Sequence, residues 1–302
     1  MRTILSVLCV SFLLGGLASA DYFVISQPGS TPEGQIVKFD LDGGTTETLS
    51  TEYDDSVRGA AVVGEEMYWS TSYNDGEIRK VSHTESPGFS SWAMDGSGTA
   101  KGLESDGQML YLRNTTDIQI APADGSGAWT IVTNSYTLTR GLGIGQDHIY
   151  IIDDNTETSE LYRHDKDGSN PQLLVDGGLP GYIRGIEEIG DTVLFTMGDT
   201  KVYSLDLSTW GGYVDISAVP VLVDIADLDP AADPAVDIAL GGGKLWILGN
   251  DTIYSSNMDG SGLAVTDATL ASGDSQFGYV PEPLSMVLFG LAGLGLSRRR
   301  RS

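Results

Sequence analysis

The sequence predicts an all-β fold, a six-bladed β-propeller with four-stranded blades, and three observations predict it. Short runs of alternating apolar and polar residues are separated every few residues by Gly, Asp, Asn or Ser, and no stretch is patterned as a long amphipathic helix. One pattern returns along the chain, as RGAAVVGEEMYW (58–69), KGLESDGQMLYL (101–112), RGLGIGQDHIYI (140–151) and RGIEEIGDTVLF (184–195). Each copy is a basic residue, a glycine, an apolar run and a turn before a strand that is aromatic in character. After each aromatic strand comes another alternating run, and several of these end in Asp-Gly. Four strands in about 40 to 50 residues is the size of a propeller blade.

Taken in chain order, the first unit begins at Tyr22 and Phe23 and lacks an innermost strand, because residues 1–20 read as a signal peptide. Units two to five follow the four copies above, and VDIALGGGKLWI (236–247) is a less regular fifth copy. The step from Gly59 to Tyr68 is repeated from Gly102 to Tyr111, from Gly141 to Tyr150 and from Asp237 to Trp246. The next strands are IVKFD (36–40), IRKV (78–81), IQIA (118–121), LYRHD (161–165), VYSLD (202–206) and IYSSN (253–257). Four of them lead into Asp42-Gly43, Asp124-Gly125, Asp167-Gly168 and Asp259-Gly260. Asp-Gly suits a tight hairpin because glycine accepts positive φ and the aspartate bonds the turn backbone. An outer strand such as PQLLVD (171–176) completes the blade. SQFGYV (275–280) stands where a further inner strand is due, so the carboxyl end is expected to complete the first blade and close the ring, removing exposed strand edges. A β-sandwich or a parallel β-helix is the alternative architecture.

The repeats resemble those of six-bladed propellers of the YWTD and NHL kinds, with YWST (68–71) nearest to the first. They depart from it at YLRN, YIID and LWIL, and Asp95-Gly96 is out of phase. The resemblance implies a fold and carries no function by itself.

The two ends read as addresses. Arg2, an apolar run from Ile4 to Leu17 and the small residues Ala18, Ser19 and Ala20 form a pattern that signal peptidase cleaves, leaving a chain that starts at Asp21. Cys9, the one cysteine, follows Leu8 rather than a small residue, which argues against lipidation, and the cleaved chain can form no disulfide. At the other end Pro281, Glu282 and Pro283 precede an apolar stretch from Leu284 to Leu296 and then Arg298, Arg299, Arg300 and Arg301. The prolines keep the segment extended, the apolar stretch is short for a membrane span, and the arginines hold its end in the cytoplasm. This order resembles the PEP-CTERM sorting signal of Gram-negative bacteria and covers only residues 280–302. The resemblance implies exosortase as a processing partner, transient anchoring in the inner membrane, and delivery to the cell surface or extracellular matrix. The domain organisation is thus signal peptide 1–20, propeller 21–279 and sorting signal 280–302.

Among 302 residues, 42 are acidic and 17 basic, a formal charge of -25 that excludes nucleic acid and anionic membrane surfaces as partners. Removing both ends takes away five arginines and one acid, so the mature body is more acidic still. Against that background Arg58, Lys101, Arg140 and Arg184 occupy one repeat position, where each chain enters its inner strand. They are expected to ring one mouth of the central channel. There they would bind an anion such as an acidic extracellular glycan or another surface protein, or else pair with acids such as Glu104, Glu187 and Asp237. The chain has no GxSxG, Walker or HExxH motif, and His83, His148 and His164 lie at unrelated repeat positions, so no catalytic residue is assigned. Lactonase-like propeller hydrolases hold a metal in the channel with carboxylates and amides. Three or more such groups at one end would mark that class, and internally paired cations would mark a structural matrix protein. No cofactor is assigned beyond loose Ca²⁺ binding by the acidic runs 153–160 and 224–237, and DKDG (165–168) places its glycine too early for a calcium loop.

Overall fold

Six sheets stand around one axis as blades, five of them four-stranded and antiparallel and the sixth with a fifth, parallel strand at its outer edge. The structure is a computed structural model that describes residues 22–27, 34–42, 44–52, 57–64, 66–71, 78–82, 90–92, 100–133, 136, 139–154, 158–178, 185–270 and 276–279. The signal segment (1–20), the tail (280–302), His83 and Arg184 lie outside the described residues, as does the side chain of Arg140. Among the described residues no helix is long and apolar enough to cross a membrane.

From the axis outward, blade 2 consists of Val57–Val63, Glu66–Thr71, Ile78–Ser82 and Ser90–Trp92, and blade 3 of Gly102–Ser105, Met109–Arg113, Ile118–Pro122 and Thr130–Thr133. Blade 4 has Thr139–Ile144, His148–Asp154, Ser159–Asp165 and Gln172–Gly178. Blade 5 has Ile186–Ile189, Thr192–Thr196, Lys201–Asp206 and Val221–Asp224, and blade 6 has Asp237–Gly241, Lys244–Leu248, Thr252–Asn257 and Ala264–Thr269. Blade 1 joins the two ends of the chain. Gln276–Tyr279 is its inner strand and pairs antiparallel with Tyr22–Gln27, Phe23 opposite Tyr279 and Ser26 opposite Gln276. Gly34–Asp40 and Thr46–Glu52 complete it. The predicted closure by the carboxyl end is therefore present.

The second strand of each blade is apolar on both faces because both faces meet a neighbouring blade. Trp246 meets Phe39 edge to face at 5.3 Å, and Phe23 and Phe277 pack in the same cluster, which joins blade 6 to blade 1. Tyr150, Ile152, Phe195 and Tyr203 join blades 4 and 5. The repeated aromatic also carries a polar tie where its hydroxyl reaches the next blade: Tyr68 donates to the carbonyl of Ala123 at 2.7 Å.

The Asp-Gly turns behave as their chemistry predicts. Gly125, Gly168 and Gly260 have φ of 74°, 82° and 81°. Asp124, Asp167 and Asp259 each accept the N–H of the serine two residues on, at 2.9, 2.9 and 3.0 Å. Bonds from those serines hold the three carboxyls below the usual range. Asp42 is described and Gly43 is not.

Blade 4 departs from the four-strand expectation. Where blades 3, 4 and 6 turn on Asp-Gly, VYSLD of blade 5 continues into LSTWGGYVDISAVP (207–220), and Val214–Asp215 of that insertion pairs parallel with Val175–Asp176 of blade 4. Asp206 and Asp215 each cap a short 3-10 turn by accepting a serine N–H at 2.8 Å. The insertion covers the outer edge of blade 4, with Trp210 stacked under Arg163 at 5.5 Å.

Candidate functional site

The channel interior is where chemistry-bearing residues from different blades meet. Inner strands crowd near the axis, and the repeat glycine answers that crowding. A Cβ on Gly185 would lie 2.7 Å from the backbone N of Ile238, and one on Gly59 would lie 2.8 Å from the backbone carbon of Gly102. Close approach at these positions is to the adjacent blade.

Asp237 stands at the position that carries glycine in blades 2 to 5. It is 6% exposed, accepts the N–H of Ile238 on Oδ1 at 2.9 Å, and accepts the N–H of Phe277 on Oδ2 at 2.8 Å. Blade 6 thereby holds the closing strand through a carboxylate. On the other side Gln276, with its amide oriented to satisfy both neighbours, donates to the backbone carbonyl of Arg58 and accepts from Nη2 of Arg113 at 3.3 Å. Arg113, 1% exposed, also donates from Nη2 to the carbonyl of Lys101, and the Lys101 N–H donates to the Arg113 carbonyl at 2.7 Å.

Beside this seam lies a cavity of about 130 Å³ lined by Glu104, Glu187, Asp237 and Ser105 on apolar walls that include Leu142, Ile186, Ile238 and Phe277. Both glutamates keep some surface on the cavity, yet both are deep in the protein. Burial pushes the Glu104 carboxyl well above the usual range, the charges of Asp237 and Glu187 push it further, and Arg113 opposes them. Burial and then the charge of Asp237 push Glu187 up to about 8. Near neutral pH Glu187 is therefore held largely as a neutral acid, and Glu104 is shifted in the same direction.

Of the four cations expected at the mouth, Arg58 and Lys101 are both half-buried at the entry to their inner strands, and both lend backbone carbonyls to the seam. The Nε of Arg58 is shielded from solvent. Arg140 contributes described backbone, and Arg184 lies outside the described residues. Glu104, Glu187 and Asp237 line one cavity, and the cation that acts on Glu104 there is Arg113. Arg113 was not selected from sequence, although it is the arginine of YLRN, one of the departures from the repeat. Among the described residues no three His, Cys, Asp or Glu side chains are spaced to hold a metal ion. His164 is structural: Nδ1–H donates to the Gly168 carbonyl at 3.0 Å, the Tyr136 hydroxyl donates to Nε2, and burial holds its pKa down. The acidic run 224–237 spends Asp224 on the N–H of Ala226, Asp229 on that of Ala231 and Asp237 on the seam.

Fold and channel define a six-bladed β-propeller closed by its last strand, with an acid-lined cavity at the closing seam. One chain of a solved nidogen/laminin complex is similar to it, with a TM-score of 0.68 over 85% of this chain and 97% of that one, at 15% identity. A computationally designed protein, Ika8, is similar with a TM-score of 0.48 over 82% and 80%, at 13% identity. No protein-family model and no curated protein matches the chain. At these identities the likeness is one of fold.

Proposed function

We propose that this chain is an exported, exosortase-processed surface or extracellular-matrix protein whose propeller serves as an interaction module. The observation that carries the module reading is the closed propeller itself, in which the seam residues hold blades together. A similar propeller-length chain occurs in a complex with a second protein. The destination rests on the two ends: Ala18 and Ala20 for signal peptidase, and Pro281, Glu282, Pro283 and Arg298 to Arg301 for exosortase, with brief inner-membrane anchoring between. Intact-mass measurement on surface material from an exosortase-bearing host should give a chain that begins at Asp21 and lacks the four arginines. Mature protein that retains them would remove exosortase from the account.

The ligand we assign to the module is an anion held by Arg58, Lys101, Arg140 and Arg184. An acidic glycan such as polygalacturonate should raise the melting temperature with occupancy, and Arg140→Gln should abolish that rise. If Arg140 instead pairs with an acid of a neighbouring blade, the same change costs about 3 to 5 kcal/mol of stability and the parent shows no glycan-dependent rise. Loose Ca²⁺ binding by the acidic loops is compatible with either outcome.

A propeller hydrolase has one observation in its favour, the three carboxylates that share a cavity. Their spacing and the commitment of Asp237 to two backbone N–H groups favour the interaction module.

A further inference from the structure

We propose that ring closure in this propeller is proton-linked: Asp237, Glu104 and Glu187 form a latch that holds the C-terminal strand most tightly at mildly acidic pH and slackens it as the pH rises. The strand concerned is short, Gln276–Tyr279, and only its outer edge is paired in a sheet. Its inner side depends on the Asp237 carboxylate at Phe277 and on the Gln276 amide between Arg58 and Arg113.

The charges around the latch come from several blades. Blade 3 supplies Glu104 and Arg113, blade 5 Glu187 and blade 6 Asp237, while blade 2 presents the carbonyl of Arg58 and blade 1 presents Gln276 and Phe277. The described side chains of blade 4 at the cavity, Leu142 and Ile144, are apolar, and the Arg140 side chain lies outside the described residues. With both glutamates protonated, no like charge in the cavity competes with the bond from the Phe277 N–H to Asp237. With both ionised, three carboxylates line a cavity of about 130 Å³, and Arg113 opposes the shift at Glu104 alone. Like charges in an enclosed site repel more strongly than in water, and the short terminal strand is the element least able to resist.

The sign follows from the direction of the shifts. A carboxyl whose pKa is raised in the closed state stabilises closure fully below its ordinary pKa, and that contribution is lost as pH rises through the raised value. The window therefore runs from the ordinary carboxylate range to about 8, the value to which Glu187 is pushed. Val280 follows the latch strand directly, so its release adds four residues, about 13 Å of extended chain, to the tether between body and tail. The latch itself does not depend on how the tail is processed.

Hydrogen exchange of the full chain, read by mass spectrometry between pH 5.5 and 8.5 and corrected for intrinsic rates, tests the latch. Protection of Gln276–Tyr279 should fall about tenfold or more across that range, the effect of one pK unit of coupling, while Lys244–Leu248 holds steady. In the double variant Glu104→Gln, Glu187→Gln the fall at Gln276–Tyr279 should shrink to less than about threefold. The latch is overturned if the double variant keeps the parental dependence, or if both parental segments lose protection together. Should the double variant fail to fold, the comparison of the two segments within the parent decides alone.

Discussion

Deleting Gln276–Tyr279 lowers the midpoint of thermal unfolding by roughly 10 °C or more. The strand brings Phe277, 4% exposed, into the cluster that contains Phe23 and Trp246, and its ring lies 5.0 Å from Phe23. Loss of a buried phenylalanine costs about 3 to 5 kcal/mol, and a domain of this size loses roughly 2 to 4 °C per kcal/mol. The deletion also leaves the inner edge of Tyr22–Gln27 unpaired and takes the Phe277 donor from Asp237. Differential scanning calorimetry of the deletion and of Phe277→Ala is the check, with the point substitution giving a smaller part of the same fall. A midpoint within a degree of the parent would mean that the ring does not depend on this strand.

Gly59→Ala is expected to destabilise by about 3 kcal/mol, at the upper end of the overpacking range. Its new Cβ would press on the backbone of Gly102 and Leu103 in the next blade and on the amide of Gln276. Backbone atoms cannot turn aside as a flexible side chain can, so blades 2 and 3 must separate at the axis. Gly211→Ala is the matched control: no heavy atom stands within 4 Å of its Cβ position and its φ is not in the left-handed region, so its midpoint should stay level or rise slightly. Chemical denaturation of both variants compares them directly, and equal midpoints would refute the close-approach account of the repeat glycine.

Much of the fold was legible because its signals are local. Alternation over a few residues marks a strand, Asp-Gly marks its turn, and the constant step from Gly59 to Tyr68 and its copies marks the phase of the blade. Even closure was legible, since Tyr22 opened a unit with no inner strand and SQFGYV supplied one at the far end. The fifth strand of blade 4 was not. Val214–Asp215 is too short to show a period, and its partner Val175–Asp176 belongs to the preceding blade.

The candidate site divides in the same way. Asp237 was visible as a break in the glycine position, and Glu104 and Glu187 as acids near a repeated cation. Arg113 was visible only as a departure in YLRN, with nothing in the chain to say that a strand residue there would sit within reach of Gln276 and Lys101.

By itself the sequence determined that this chain is an acidic, all-β repeat protein of six units, four with an inner glycine and four with a tight Asp-Gly turn, because each of those properties is set by residues close together in the chain. Only the tertiary structure decided that Asp237 holds the closing strand, that Arg113 is the cation of the seam, and that Glu104 and Glu187 face Asp237 in one cavity. Ring closure brings residues from blades 1, 3, 5 and 6 to the axis, and burial there, with the charge of Asp237, pushes the carboxyls of Glu104 and Glu187 up.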